Sequence, residues 1–203
     1  MRLLRYAVLM AFALAIPASL SAQYPTQTLK HTGGGEASGN VLVGPYNGIL
    51  GGVAMDIFCI DGAHLVRSGE YSVYVTPLSS VNIGDPTYTY YGMPAYAKAA
   101  WLSTRFAMYP DDWDDIHQAI WNITSGGLPA TYYTSADNAR YWEGKAADFY
   151  GGINTREWAV LHAVDGDAQE FLVRRSVPEP EAILLLLSGL VGIAGVVVRR
   201  RVL

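Results

Sequence analysis

Cys59 is the only cysteine in the 203-residue chain, and its thiol is the side chain best suited to covalent chemistry. A lone cysteine excludes an intramolecular disulfide and a zinc site built from several cysteines. Its thiolate is a nucleophile that could serve a hydrolase if a histidine lay within reach. His64, His117 and His162 are the candidates for that role, but no nucleophile elbow or known protease motif accompanies them. A Cys–His hydrolase is therefore the weakest of the functions considered, and we do not expect an enzyme.

Gln118 is the second residue of chemical interest, because of the side of its helix on which it falls. The surrounding sequence fits an α-helix with about 100° between successive residues. Ile116 and Ile120 then lie on the core stripe, whereas Gln118 falls on the far side, within about 60° of Trp121. We expect Gln118 and Trp121 to face another element, for which the strand that carries Cys59 is a candidate.

Two short motifs around these residues resemble the thioester domains of bacterial surface adhesins. The matching segments are Phe58-Cys59-Ile60 and Gln118-Ala119-Ile120-Trp121. The resemblance implies that the thiol attacks the glutamine amide, that ammonia leaves, and that an internal thioester remains. It further implies covalent adhesion, once per molecule, to an amine or hydroxyl on a partner surface. Aromatic walls suit this chemistry because water would hydrolyse the acyl donor.

His117 marks a departure from that family, many members of which have threonine before the glutamine. It is a candidate assistant for thiol activation or acyl transfer, and the alternative is a solvated histidine on the helix surface. The alternative for the whole protein is a non-covalent component of an exopolysaccharide or biofilm matrix, in which Cys59 is a buried packing residue. The acidic segment 111–115 lacks the glycine and spacing of an EF-hand loop, so we expect no metal and no cofactor.

The elements that must position these residues begin with strands. Residues 53–60 run into an Asp-Gly turn, and residues 71–76 alternate as a half-buried strand does. Recurrent glycines between 41 and 53 indicate short strands joined by turns. The polar, glycine-rich segment 23–40 is expected to be a flexible leading segment.

Helices are predicted for the middle of the chain. The pattern favours helices over 95–108, from the acidic segment 111–115 to 124, and over 135–150. The chain then returns to strands at 157–164 and 168–173, on either side of an Asp-Gly-Asp hairpin turn. These elements predict an α+β fold, in which a β-rich sheet or sandwich-like part carries an inserted helical part over residues 41–174. That range is the expected ectodomain.

The N-terminus has the pattern of a secretory signal peptide over residues 1–22. Arg2 and Arg5 precede an apolar stretch that is too short to span a membrane, and small residues follow Pro17. This pattern predicts export, with signal peptidase as a processing partner.

The C-terminal segment 175–203 resembles the PEP-CTERM sorting signal of exopolysaccharide-producing Gram-negative bacteria. A Pro-Glu-Pro motif precedes 17 uncharged residues, 182–198, which as a helix would reach about 25 Å. An arginine cluster follows, and by the positive-inside rule it stays in the cytoplasm. The resemblance implies recognition by an exosortase, anchoring in the inner membrane before processing, and then placement on the cell surface or in the extracellular matrix. The residues of the motif are Pro178, Glu179, Pro180, Arg199, Arg200 and Arg201.

Removal of the two ends changes the charge. The whole chain is 51% hydrophobic with a net charge of -4, but residues 23–180 contain nine Lys+Arg and 17 Asp+Glu, which gives -8. Such an acidic surface argues against a nucleic-acid binder that neutralises phosphates.

Overall fold

The computed structural model describes residues 25–81, 91–126 and 138–175. The described ranges contain six strands and three α-helices, together with short 3-10 turns. The strands are β1 (Thr26–Ser38), β2 (Val41–Leu50), β3 (Val53–Cys59), β4 (Glu70–Pro77), β5 (Trp158–Ala163) and β6 (Phe171–Arg174). The helices, all between β4 and β5, are α1 (Met93–Ser103), α2 (Trp113–Ser125) and α3 (Ala139–Phe149).

The six strands form a closed barrel in the order β1-β2-β3-β6-β5-β4, and every neighbouring pair is antiparallel. The sheet and the inserted helical part were predicted. The sandwich-like alternative was wrong, because β1 pairs with β4 as well as with β2 and so joins the two edges of the sheet. Closure leaves the barrel without an exposed edge strand.

The leading segment 23–40 was expected to be flexible, and for Thr26–Ser38 that expectation is wrong because these residues form β1. Main-chain pairing on both sides holds this strand, so it needs few apolar side chains. Its register shifts twice between His31 and Glu36, where three consecutive glycines have positive φ. These bulges let a glycine-rich sequence bend with the barrel wall. Residues 41–50 likewise form one continuous strand and not several short ones.

The predictions for β3, β4 and the β5–β6 hairpin were confirmed to within a few residues. The first helix is shorter than predicted: it ends at Ser103, and turns follow up to Met108. The second ends where expected, since Gly126 adopts the left-handed conformation that closes a helix. The third begins at Ala139, and the predicted cap at 135 lies outside the described residues.

The helices pack against one another, and α2 also packs on β2. All six residues of β5 are buried, so both faces of this strand are covered. Within the described ranges no helix is long and apolar enough to cross a membrane. The predicted signal peptide and the predicted span 182–198 lie outside those ranges.

Candidate functional site

Cys59 is the last residue of β3, where it pairs with Phe171 of β6. Its side chain is completely buried, which protects a free thiol from oxidants in solution. Sγ donates a hydrogen bond to the carbonyl oxygen of Asp61 at 3.5 Å and accepts one from the indole Nε1 of Trp121 at 3.3 Å. Burial raises the pKa of the thiol to about 12, so the resting side chain is a neutral thiol.

Helix α2 lies against the strand that carries Cys59, through two side chains one turn apart. Trp121 contacts the sulfur, and His117 contacts the carbonyl oxygen of Cys59 through Nε2 at 2.9 Å. The two rings stack with their centroids 4.1 Å apart. The predicted orientation toward this strand is therefore found for Trp121, whereas Gln118, for which the same orientation was predicted, binds Asn122 of its own helix.

His117 is completely buried, so the expectation of a solvated surface histidine was wrong. The main-chain N–H of Gly44 donates to Nδ1 at 2.9 Å, which fixes the tautomer in which Nε2 carries the proton and donates to Cys59. Burial lowers the pKa of His117 to about 3, so the ring stays neutral. Because both ring nitrogens bind main-chain groups, the ring has no lone pair available to take the thiol proton. The role of His117 is therefore structural: its ring links β2, β3 and α2 through hydrogen bonds.

Gly44 is required at this bridge for two reasons. Its φ of +90° disfavours a residue with a side chain, and an added Cβ would lie 2.2 Å from the indole ring of Trp113. Trp113 itself is held by a hydrogen bond from Nε1 to the carbonyl oxygen of Phe106 at 2.9 Å. The glycine therefore lets β2 approach α2 closely enough for its N–H to reach His117.

Gln118 lies beside this contact, and its side chain turns toward α3. It is 8% exposed, and its amide Nε2 donates to Oδ1 of Asn122 at 2.5 Å. Asn122 in turn donates from Nδ2 to Oε1 of Glu143 on α3 at 2.5 Å. The structure thus brings Cys59 together with His117 and Trp121, and it pairs the Gln118 amide with Asn122.

A groove of about 590 Å³ opens beyond the end of β3. Its walls include Leu42, Tyr46, the loop Gly62–Val66, Trp121 and Gln169. Trp121, whose indole donates to Sγ, is thus one of the residues that line the groove.

Asp61, which sequence reasoning treated only as part of a turn, is a central residue of this region. It is fully buried, and its Oδ2 lies 2.6 Å from Nδ1 of His64 in the groove wall. Its Oδ1 accepts from the N–H of Ala63 at 2.8 Å, and its carbonyl accepts from the amide of Gln169 at 2.7 Å. The three-residue spacing of Asp61 and His64, directly after a buried strand, is the signal that could have found this pair.

A second buried carboxylate, Glu170, was also missed from the sequence. Its Oε1 lies 2.8 Å from Nδ1 of His162, and its Oε2 accepts from the hydroxyl of Tyr96 at 2.7 Å. All three side chains are buried. Burial of the Glu170 carboxylate would be unfavourable alone, and its contacts with His162 and Tyr96 compensate for the lost contact with water. His162 thus belongs to a polar cluster under α1. In the part of the chain that the structure describes, neither His64 nor His162 hydrogen-bonds Cys59, whose Sγ contacts are with Asp61 and Trp121.

Among the described residues, no group of three histidine, cysteine, aspartate or glutamate side chains is arranged to hold a metal ion. α2 begins at Trp113, within the acidic segment 111–115 as the sequence predicted, and Asp111 and Asp112 belong to the short 3-10 turn before it.

The groove and Arg174 lie at opposite ends of the β3–β6 pair. Cys59 and Phe171 are partners at the groove end, whereas β6 ends at Arg174 and leads directly into the tail. The N–H of Arg175 donates to the carbonyl oxygen of Glu157 at 2.6 Å, which fastens the chain to the barrel at that point.

Comparison with known protein families finds a PEP-CTERM protein-sorting motif at residues 176–201. This range contains Pro178, Glu179, Pro180 and the arginines Arg199, Arg200 and Arg201, as the sequence predicted. The motif implies an exported protein that is anchored in the membrane before processing, with an exosortase as its processing partner. No curated protein and no solved structure matches the chain, and none of these comparisons supports the resemblance to thioester domains.

Proposed function

We propose that the exported barrel domain forms an internal thioester between Cys59 and Gln118 and uses it to attach the protein covalently to a partner surface or matrix. The observation that supports this proposal best is the contact of α2 with Cys59, in which the Trp121 indole donates to Sγ. Gln118 precedes Trp121 by three residues, and such pairs are neighbours on a helix surface, with about 5–6 Å between their Cβ atoms. Gln118 is therefore a helix neighbour of the residue whose indole contacts the thiol.

The reaction requires Gln118 to change rotamer. Its Nε2 must leave Oδ1 of Asn122 so that its Cδ can approach Sγ, and attack needs a separation of about 3–3.5 Å. Rotation about the side-chain torsions of glutamine is inexpensive compared with movement of the backbone. The main chain on both sides is fixed by the barrel wall and by the His117 bridge.

The atoms balance without a further reactant. Sγ forms a bond to Cδ of Gln118, the Cδ–Nε2 bond breaks, and the thiol proton leaves with the amide nitrogen as ammonia. The product is uncharged, which suits a buried site where a thiolate is unfavourable. The indole N–H of Trp121 stabilises negative charge that develops on sulfur during the attack. Burial then keeps water from the acyl donor.

The mass of the exported, intact protein tests the proposal. A protein with the thioester weighs less than its sequence by one ammonia, and Cys59→Ala and Gln118→Ala each abolish that deficit. Gln27→Ala, which changes an exposed glutamine on β1, is the matched control and keeps it. A full sequence mass, together with a thiol that alkylates once the protein is unfolded, would overturn the proposal.

A non-covalent matrix protein is the second candidate, and two observations favour it. The Gln118 amide is bound by Asn122, and the pKa of Cys59 is raised to about 12, as for a packing residue. In that case Cys59→Ala leaves surface retention unchanged. Loss of retention in Cys59→Ala and in Gln118→Ala, with the barrel still folded, would exclude this candidate.

A further inference from the structure

We propose that a second site, an acidic cleft between the β1–β2 turn and the start of α2, binds an arginine side chain of a protein partner. The cleft has a volume of about 320 Å³. Its walls come from the end of β1, from β2 and from the residues around the start of α2: Glu36, Ala37, Ser38, Val43, Pro110, Asp111, Trp113 and Asp114. The inference does not depend on the thioester, because it uses neither Cys59 nor Gln118.

The first support is negative charge without a counterion. Glu36, Asp111 and Asp114 bring three carboxylates to the cleft, and none of the lining residues is basic. In the described part of the chain none of these three carboxylates forms an ion pair. The start of a helix favours acidic residues and so accounts for Asp111 and Asp114, but it does not account for Glu36, which comes from β1.

The carboxylates near the helix start also repel one another. Partial burial, together with the charges of Asp115 and Asp112, raises the pKa of the Asp114 carboxyl. A cation in the cleft would offset this repulsion.

The second support is a buried hydroxyl group. Ser38 lines the cleft and is 7% exposed, and its Oγ has no hydrogen-bond partner among the described residues. A buried polar atom without a partner is unfavourable, so a ligand that brings an N–H donor to Oγ gains a hydrogen bond. A surface that attracted cations by charge alone would not make this contact.

The arrangement of the acids favours arginine over smaller cations. Among the described residues no group of three acidic or histidine side chains is arranged to hold a metal ion, so a ligand that meets all three carboxylates must be larger than an ion. Guanidinium is planar and carries its N–H donors in a rigid fork, so it can bind one carboxylate with two of them and reach a second acceptor with others. The ammonium group of lysine is a compact point charge without that reach.

The remaining walls suit the rest of the side chain. Val43, Pro110 and Trp113 give the cleft apolar surface for the methylene groups of arginine. The exported domain, residues 23–180, has a net charge of -8, which favours the approach of a basic protein surface.

NMR titration of the exported protein at low ionic strength tests the inference. The probe is Nα-acetyl-arginine methylamide, which imitates an arginine within a protein, and it should shift the amide signals of residues 36–38 and 111–114. The corresponding lysine derivative should bind about fivefold more weakly, and the uncharged citrulline derivative should cause no shift. Cys59→Ala should bind the arginine probe as the parent protein does.

Two variants separate a built site from general attraction. Glu36→Gln should weaken binding of the arginine probe about fivefold, whereas Asp148→Asn, which makes the same change of charge at an exposed residue of α3, is the matched control and should not. Ser38→Ala should also weaken binding about fivefold while the urea midpoint stays the same or rises, because the hydroxyl has no partner in the free protein.

The opposite results would overturn the inference. Equal weakening in Glu36→Gln and Asp148→Asn, or shifts spread over the whole surface, would mean attraction by net charge only. Equal affinity for the arginine and lysine probes would overturn the choice of guanidinium. Tighter binding of free arginine than of the capped probe would overturn the choice of a protein partner in favour of the amino acid. Unchanged affinity in Ser38→Ala would overturn the role of the buried hydroxyl.

Discussion

His117 makes the stability of the barrel depend on pH in a way that can be measured. Its ring is buried and neutral, between the N–H of Gly44 and the carbonyl oxygen of Cys59. The informative change is His117→Gln, which keeps an acceptor and a donor on the side chain but removes the titration. We expect the parent protein to lose stability on acidification faster than this variant does.

The magnitude follows from the difference in pKa between the two states. The pKa is 6.5 in the unfolded chain and about 3 in the folded protein. Below pH 6.5 the unfolded chain binds a proton that the folded protein does not bind, so stability is full above pH 6.5 and falls as the pH drops toward 3. Between pH 7 and pH 5 this single residue lowers the free energy of unfolding by about 2 kcal/mol.

The contribution of His117 can be measured by urea unfolding of the parent protein and of His117→Gln, each at pH 7 and at pH 5. Carboxylates and the other histidines titrate in both proteins, so their effects cancel in the difference between the two pH-dependent losses. With a slope of about 2 kcal/mol per molar urea, the parent midpoint should fall about 1 M further than that of the variant. If the two midpoints shift in parallel, His117 is not held neutral and the assignment of its hydrogen bonds is wrong.

Three further changes test other parts of the structure. Gly44→Ala should lower the free energy of unfolding by about 3 kcal/mol in urea, because the new Cβ meets the ring of Trp113 and the backbone is left-handed. Gly52→Ala, where φ is similar but the surrounding space is open, should lower it by only about 1 kcal/mol. Equal losses in the two variants would contradict the close approach of β2 to Trp113. Trp121→Phe removes the hydrogen bond to Sγ and should slow the loss of ammonia while the barrel stays folded by circular dichroism; an unchanged rate would exclude a role for the indole. Replacement of residues 178–180 by alanine should leave the protein in the membrane fraction of an exosortase-containing host, and normal release would contradict processing at this motif.

The pattern of residue types predicted much of the fold, because several strands, turns and helix ends are determined by residues that are close together in the sequence. The alternation in β4, the turn after β3 and the glycine that ends α2 each depend on a few neighbouring residues. The phase of α2 predicted that Gln118 and Trp121 face another element, with the strand of Cys59 as the candidate, and the structure places Trp121 there but pairs the Gln118 amide with Asn122.

β1 could not be predicted in the same way. Its sequence is polar and rich in glycine, and it is a strand because β2 and β4 pair with it on both sides. Barrel closure depends on these pairings between distant parts of the chain, and the periodicity of a short segment gives no information about its distant partners.

The candidate site was predicted only in part, for a related reason. Cys59 and Trp121 were singled out by residue type and helix phase, and the structure joins them. Asp61 and Glu170 were missed because each is a single acidic residue whose burial depends on partners from other elements. The burial of His117 likewise depends on β2, 73 residues earlier in the chain.

A peptide map of the exported protein tests the thioester most directly. Digestion under mildly acidic conditions preserves the bond, and mass spectrometry of the fragments identifies which residues it joins. We predict a cross-linked pair in which the peptide that contains Cys59 is bonded to the peptide that contains Gln118, lighter than their sum by one ammonia. Recovery of the two as separate linear peptides, with an unmodified thiol and an intact glutamine, would contradict the proposed function.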